Sequence, residues 1–172
     1  MIIVRSDDFD FRLNVDQYAK AHQKFIDANL TETAVIQFTN DNRVNFNKQA
    51  IFDYLKTSPN YDIQFHGWSH ARYDEMEFDD MVRDVAASMA CSKRFLGAYP
   101  TVWYPPRNCY SPTMQKVADV FGLRIDTEAV GIREFVEKNR IERFEPHAVY
   151  FHIWNHAEME YLDEMIRCLK KL

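Results

Sequence analysis

Glycine is scarce in this sequence, with four residues in 172 against an average usage of about 7%. Because the four are far apart, neither G-x-G-x-x-G nor G-x-x-x-x-G-K-[ST] occurs anywhere in the chain. These motifs hold the phosphates of dinucleotides and nucleoside triphosphates with backbone N–H groups. Their absence argues against a binding site of either kind.

Cysteine is also scarce, and long apolar runs are missing. Cys91, Cys109 and Cys168 are widely separated and form no C-x-x-C pair, which favours unpaired thiols over a disulfide framework. The apolar N-terminal stretch reaches Arg5 after only four residues, and no run of 18 apolar residues follows. The sequence therefore predicts a cytoplasmic protein with no signal peptide and no transmembrane segment.

No segment is dominated by charge of one sign. Lys and Arg number 21, Asp and Glu number 26, and the net charge is -5 with the signs interspersed. A basic stripe for a nucleic-acid backbone is therefore not expected. The length and the 47% hydrophobic content exclude disorder and predict a single domain spanning residues 1–172.

Apolar runs rich in β-branched residues alternate with amphipathic stretches along the whole chain. Strand patterns occur at 2–4, 34–38, 61–65, 101–104, 123–125 and 148–151. Helical spacing separates them, with one helix starting at Ser111-Pro112 and stopping at Gly122, and a short one around Glu134 to Lys138. This alternation predicts an α/β protein whose parallel sheet is either open and doubly wound or closed as a barrel.

Side chains suited to acid, base or ligand chemistry follow four of these strands. They are Asp7 and Asp8 after the first, His66 and His70 after the third, Arg107 after Trp103-Tyr104, and His152 and His156 after the last. Functional groups gather at the carboxyl ends of parallel strands in both candidate architectures. The four clusters are therefore expected to meet.

The two central histidines have a metal-binding interpretation. If the segment turned helically, His66 and His70 would lie on one face, and an Asp from another strand would complete a two-His, one-Asp catalytic zinc set. An H-x-x-x-H match alone is weak evidence. The segment from Asp7 to Asp10 has two other interpretations. It is explained as a solvated turn before the first helix. Alternatively, Asp8 and Asp10 would hold a divalent ion against the diphosphate of a nucleotide sugar.

Other residues near the clusters also have two interpretations. Trp68 and Trp154 suit platforms for a sugar ring or walls of an acyl pocket, and they also suit the core. Arg107 is a candidate substrate-binding residue or a surface arginine. His22, on the apolar face of the first helix, is interpreted as a packing residue.

Taken in order, these motifs resemble those of the polysaccharide deacetylase family, the NodB-homology domain of family 4 carbohydrate esterases. The resemblance rests on Ser6-Asp7-Asp8-Phe9, His66-x-x-x-His70, a Pro-Pro-Arg loop and a late strand ending in Phe151-His152, and it spans residues 2 to about 156. It implies an α/β fold, a NodB-like distorted (β/α) barrel with about seven strands.

The resemblance also implies an activity. The protein would be a metal-dependent hydrolase that removes the N-acetyl group from an N-acetylated sugar or polysaccharide. Asp7 would be the general base and His152 the general acid, with His156 as a second candidate. Asp8, His66 and His70 would hold a divalent metal, usually zinc, while Arg107, Trp68 and Trp154 would contact substrate.

The chain departs from the family pattern in three places. The third motif normally reads Arg-x-Pro-Tyr, whereas Tyr104-Pro105-Pro106-Arg107 exchanges the arginine and the tyrosine. Arg107 is nevertheless a candidate for orienting Asp7 by an ion pair. Ile153 replaces the aspartate that usually follows the acid histidine, and no Asp-x-x-Asp-Trp fourth motif is found.

Three other functions therefore stay open. They are hydrolysis of another non-peptide C–N bond on the same scaffold, a nucleotide-sugar transferase that uses Asp8 and Asp10, and a catalytically degenerate sugar-binding module.

Overall fold

A computed structural model of the protein describes residues 2–9, 13–40, 43–44 and 49–172. The strands are β1 (Ile3–Phe9), β2 (Glu32–Gln37), β3 (Thr39–Asn40), β4 (Arg43–Val44), β5 (Tyr61–Gly67), β6 (Val102–Trp103), β7 (Arg124–Ile125), β8 (Val130–Gly131) and β9 (Ala148–Phe151). The helices are α1 (Val15–Ala28), α2 (Gln49–Thr57), α3 (Phe78–Cys91), α4 (Pro112–Phe121), α5 (Ile132–Asn139), α6 (His156–Met159) and α7 (Leu162–Leu169).

Seven of the strands form one parallel sheet in the order β7-β6-β5-β2-β1-β9-β8, while β3 and β4 form a separate antiparallel pair. The segment from β7 to β8 belongs to both edges of the large sheet. Arg124 and Ile125 pair with β6, and Val130 and Gly131 pair with β9. Because only four residues separate β7 from β8, the two edges must lie near each other and the sheet is curled. The predicted α/β, distorted-barrel architecture is confirmed.

Helix boundaries follow the capping chemistry of the sequence. In α1, Asn14 and Gln17 form a capping box, and Asn29 ends the helix in a left-handed conformation. In α4, the Ser111 side chain accepts a hydrogen bond from the Met114 N–H, and Gly122 ends the helix at φ 67°. Both boundaries predicted for α4 are confirmed.

The apolar faces of the helices bury two clusters of core residues. One joins α1, α5 and α7 to the centre of the sheet and includes Phe25, Phe135 and Leu162. The other joins α3 and α4 to β6 and includes Val85 and Trp103. These clusters hold the strands rigidly and leave their carboxyl ends free to carry polar side chains.

Some details of the secondary-structure prediction were wrong. β1 continues through Asp7 and Asp8 to Phe9, so these carboxylates lie in a strand and not in a solvated turn. β8 was not predicted, because two residues in pairing provide no periodic pattern to detect.

The structure also bears on two predicted absences. Cys91, Cys109 and Cys168 are free thiols, as predicted. In the described part of the chain, no helix is long and apolar enough to cross a membrane.

A buried carboxylate links the β7 edge of the curled sheet to the residue that precedes β9. Asp126, directly after β7, accepts a hydrogen bond from the His147 Nε2 atom at 2.9 Å and from Arg124 at 3.0 Å. His147 itself lies directly before β9. Burial pushes the pKa of Asp126 upwards, but the bonds from His147 and Arg124 outweigh it and hold the pKa below its usual value.

Asp126→Asn is therefore expected to destabilise the protein in a pH-dependent way. A carboxyl whose pKa is lowered on folding stabilises the fold above its unfolded pKa of about 4 and loses that contribution as the pH falls further. The free energy of unfolding should drop by about 1–3 kcal/mol at pH 7, and the difference from wild type should shrink towards pH 3. Urea unfolding at both pH values measures this, with the exposed Asp119→Asn as control. An equal loss at both pH values would contradict the assignment.

Candidate functional site

A bulge in β1 brings two adjacent carboxylates to the same side of the sheet. In a regular strand, neighbouring side chains point to opposite faces. The pairing of β1 with β2 shifts by one residue between Ser6 and Phe9, and Asp8 has a left-handed φ of 53°. Extra residues of this kind redirect side chains, so Asp7 and Asp8 both line one cavity at the carboxyl end of the sheet.

A second irregularity places the two histidines. The pairing of β2 with β5 shifts between Ile36 and Gln37, which leaves His66 as the extra residue near the end of β5. Gly67 follows at φ 150°, and residues 68–70 form a bend. The helical turn that would have placed both histidines on one face is therefore not formed. His66 and His70 converge because of the bulge and the bend, and their ring centroids lie 5.6 Å apart.

Asp8, His66 and His70 form a compact set of ligand atoms. The Asp8 Oδ1 atom lies 3.0 Å from His66 Nε2 and 3.4 Å from His70 Nε2, and the three ligand atoms all lie within 4.8 Å of one another. The His66 Nδ1 atom lies 2.6 Å from the Tyr104 carbonyl oxygen. Because a carbonyl only accepts, Nδ1 donates there and Nε2 is the nitrogen directed at Asp8. Two imidazole nitrogens around one carboxylate are ligand types that a divalent metal takes, so this set fits such an ion.

His152 approaches the second carboxylate oxygen of Asp8 and is itself held by Glu158. Its Nε2 atom is 3.8 Å from Asp8 Oδ2. Its Nδ1 atom lies 3.0 Å from Glu158 Oε2, and its backbone N–H donates to the same oxygen at 2.7 Å. Asn155 donates to the other Glu158 oxygen at 2.7 Å. Glu158 therefore fixes the orientation of the His152 imidazole, and it is the carboxylate partner of this histidine for which the sequence showed no motif.

The remaining predicted site residues divide into two groups. Arg107 and Trp154 line the same cavity of about 360 Å³ as the carboxylates and histidines. Trp68 lies outside the described lining and stacks on Phe38, with ring centroids 6.2 Å apart. His156, the alternative acid, is exposed at the start of α6 and also lies outside that lining. Asp10, the second ligand of the transferase hypothesis, lies outside the described residues.

Solved structures share this architecture from end to end. A CE4 family pseudoenzyme from Bacillus anthracis superposes with a TM-score of 0.81 at 13% identity, covering 99% of this chain and 60% of that protein. A family 4 carbohydrate esterase from Streptomyces lividans, in complex with acetate, gives 0.78 at 12% identity, with coverage of 99% and 88%. The chain has the fold of the family 4 carbohydrate esterases.

A third structure with the carbohydrate esterase fold contains a metal. The family 4 acetyl xylan esterase from Clostridium thermocellum, in complex with a cobalt ion, gives a TM-score of 0.74 at 20% identity, with coverage of 99% and 83%. In sequence comparisons, no family model and no curated protein matches the chain. Because the similar structures include both esterases and a pseudoenzyme, the function of this chain has to be argued from its own site.

The pKa values of the two carboxylates in this cavity are shifted in opposite directions. Burial raises the pKa of Asp7 above its usual value, although the charges of Arg5, His66 and His152 oppose the shift. Burial also pushes the pKa of Asp8 upwards, but the hydrogen bond and charge of His66 outweigh it and the net shift is downwards. Neighbouring groups with divergent pKa values are suited to different roles. Here Asp7 suits a proton acceptor and Asp8 a ligand that stays ionised.

The two flanking histidines are also shifted in opposite directions. Burial lowers the pKa of His70, and the charge of Arg107 adds to that effect. Burial acts the same way on His152, but the hydrogen bond and charge of Glu158 outweigh it and raise its pKa. A neutral His70 suits a ligand, and a protonated His152 suits a proton donor.

Sequence reasoning missed Glu158 and Arg5 at this site. Glu158 follows His152 by six residues, and the intervening hydrogen-bonded turn and the first turn of α6 bring it back to that histidine. Arg5 precedes Asp7 by two residues and therefore shares its face of β1. The alternation of β1 was a usable signal for Arg5, whereas no local pattern marked Glu158.

Gly67 is the one glycine that the site geometry requires. Its φ of 150° is rare for other residues, and a Cβ there would lie 2.6 Å from the Tyr73 hydroxyl and 2.8 Å from the Ser69 carbonyl oxygen. The Tyr73 hydroxyl is already held, because it accepts a bond from the Trp68 N–H and donates one to Asp84. The Tyr73 hydroxyl cannot move away without stretching these two bonds, and the bond from the Trp68 N–H lies in the 68–70 bend.

Gly67→Ala is therefore expected to cost about 1–3 kcal/mol of folding free energy from backbone strain alone, and to weaken metal binding by displacing His70. Chemical unfolding and metal titration measure the two effects. Gly97→Ala is the matched control, because it also has a positive φ but nothing lies within 4 Å of its added Cβ. Equal losses of folding free energy and of metal affinity in the two variants would show that the strain of a positive φ, and not crowding in the bend, is responsible.

Proposed function

We propose that this protein is a metal-dependent deacetylase that hydrolyses the N-acetyl group of an N-acetylated sugar or polysaccharide. The observation that carries the proposal is the convergence of Asp7, the Asp8/His66/His70 ligand set and His152 on one cavity. That combination provides a proton acceptor, a metal site and a proton donor within a few ångströms. The shared fold with family 4 carbohydrate esterases supports the same reaction class.

The residues of the chain divide the work of amide hydrolysis between two sides of the cavity. Asp7 accepts a proton from the attacking water, whose oxygen bonds to the acetyl carbon as the C–N bond breaks. His152, oriented by Glu158, donates a proton to the departing nitrogen. The products are acetate and a free amine on the sugar.

Three side chains form the proposed ion site, and one backbone carbonyl supports it. Asp8, His66 and His70 would hold a divalent ion such as zinc, and its chemistry there would be polarisation of the acetyl carbonyl and a lowered pKa of water. The Tyr104 carbonyl keeps the Nε2 atom of His66 directed at the ion site by accepting from Nδ1. Asp8 provides the negative charge of the set.

The residues that line the cavity are of types that suit a carbohydrate substrate. Trp154 lies beside His152, with ring centroids 5.1 Å apart, and provides an aromatic surface for a sugar ring. Arg107, exposed on the wall, provides donors for hydroxyl or acidic groups. Trp68, which packs against Phe38, has no place in this proposal.

A combined metal and acetate-release assay tests the function. Purified protein is analysed for bound divalent metal and then incubated with N-acetylated sugars, their oligomers, acetylated polysaccharides and a panel of cyclic amides. We expect acetate release from one of the N-acetylated carbohydrates, loss of activity after chelation, and recovery when zinc or another divalent ion is added back.

Other outcomes identify the alternatives. Activity confined to cyclic amides would point to hydrolysis of another C–N bond, while oligosaccharide binding with no acetate release would point to a sugar-binding module. Full activity of a chelated, metal-free sample would overturn the proposal.

A further inference from the structure

Arg5 is a fully buried arginine beside the candidate site. Its side chain is 0% exposed, and its Nε atom lies 3.1 Å from Asp7 Oδ1. The guanidinium lies 4.8 Å from the Tyr104 ring centroid and 5.6 Å from that of Tyr150, so aromatic faces cover it on two sides. Among the described residues, Asp7 is the carboxylate with which it forms an ion pair.

The same guanidinium reaches the loop that follows β6. Its Nη2 atom donates a hydrogen bond to the Asn108 side-chain oxygen. Arg107 and Asn108 both have left-handed backbone conformations, at φ 62° and 51°. Two consecutive non-glycine residues of this kind persist only where surrounding contacts hold them. The bond from Arg5 is such a contact, and it links the loop directly to Asp7.

A buried arginine is a costly way to stabilise a fold. Removing a permanent charge from water is expensive, and apolar residues of similar volume often stabilise a core as well or better. In the described part of the chain, the Arg5 Nε and Nη1 atoms and the Asp7 Oδ1 atom are buried without a hydrogen-bond partner, so Arg5 contacts Asp7 as an ion pair and not through a hydrogen bond. The arrangement therefore points to a role in the site and not to stability.

We propose that Arg5 is the positioning residue for Asp7 and for the 105–108 loop. The motif resemblance had made Arg107 the candidate for orienting Asp7. This inference rests on the proposed deacetylase function. Arg5 and Asp7 lie on one face of β1, two residues apart, so the guanidinium fixes the carboxylate from within its own strand. Through Asn108, it also holds the loop that carries Arg107 against the cavity.

Three variants test the proposal kinetically. Arg5→Met removes the charge and both contacts while keeping an unbranched side chain, and kcat should fall by about 100-fold, the effect expected for a misplaced catalytic group. KM should change little, because the lost interaction orients the base and does not bind substrate. Arg5→Lys keeps the charge beside Asp7 and should recover part of kcat. Asn108→Ala should give a smaller loss of kcat.

Arg83→Met, on the exposed surface of α3, is the matched control and should behave as wild type. Bound metal should stay unchanged in all variants. The proposal is overturned if Arg5→Met keeps wild-type kcat, or if Arg5→Lys loses as much kcat as Arg5→Met. It is also overturned if loss of metal accompanies loss of activity in Arg5→Met and Asn108→Ala leaves kcat unchanged.

A thiol-labelling assay separates this inference from the proposed function. Cys109 directly follows Asn108, so its alkylation rate reports on the loop even if the wild type releases no acetate. In a background with Cys91→Ala and Cys168→Ala, labelling of native Cys109 should accelerate in Arg5→Met and in Asn108→Ala but not in Arg83→Met. Unchanged labelling in both would overturn the link between Arg5 and the loop.

Discussion

Asp7→Asn is expected to reduce kcat/KM for acetate release by about 10²–10⁴-fold, the usual contribution of a general base. Asparagine has nearly the same shape as aspartate but cannot accept a proton from water. Because the Asp8/His66/His70 set is untouched, the variant should still bind its metal. Steady-state kinetics and metal analysis of the same preparation measure both quantities.

The control for this prediction is Asp62→Asn. Asp62 lies near the start of β5, where it accepts a hydrogen bond from Gln64 at 2.8 Å, and it does not belong to the described cavity lining. It should keep both metal and activity. Loss of metal in Asp7→Asn would show that Asp7 is a ligand and not the base, and retained activity would show that another group accepts the proton.

His66→Ala is expected to abolish metal binding and, with it, activity. His66 is the most buried imidazole of the ligand set, and its ring is held on both sides, by Asp8 and by the Tyr104 carbonyl. Loss of a direct ligand should lower metal affinity by more than the roughly 10–100-fold typical of supporting partners. Metal content after dialysis, together with acetate release, measures the effect, and His70→Ala should act in the same direction.

The matched control is His156→Ala, since His156 is exposed and lies outside the cavity lining. It should keep its metal and its activity, and a large loss of activity with metal retained would make His156 and not His152 the proton donor. Full activity of His66→Ala and His70→Ala would contradict the metal site.

The fold was predictable because its signals are local. The alternation of strand and helix patterns predicted the α/β class, and caps such as Ser111 with Gly122 placed the ends of α4 correctly. The curl of the sheet was not readable in the same way. It depends on the 124–131 segment pairing with β6 at one edge and with β9 at the other.

The candidate site was predictable as a set of residues but not as a geometry. The strand-end clusters contained Asp7, Asp8, His66 and His152, and the structure brings all four to one cavity. The reason given for the convergence of the histidines was wrong, because bulges and a bend replace the helical turn. Trp68 shows the same limit, since adjacency to a cluster does not say which way a side chain points.

The sequence by itself determined which chemical groups stand at the carboxyl ends of the strands, because residue type and periodicity are properties of neighbouring residues. Only the tertiary structure decided which of them act on one another. The bulge in β1 turns Asp7 and Asp8 to one side, and the turn before α6 returns Glu158 to His152. The curled sheet brings Arg5 to Asn108 across 103 residues of chain. Such partners depend on strand register and on the closure of the sheet, which no local pattern encodes.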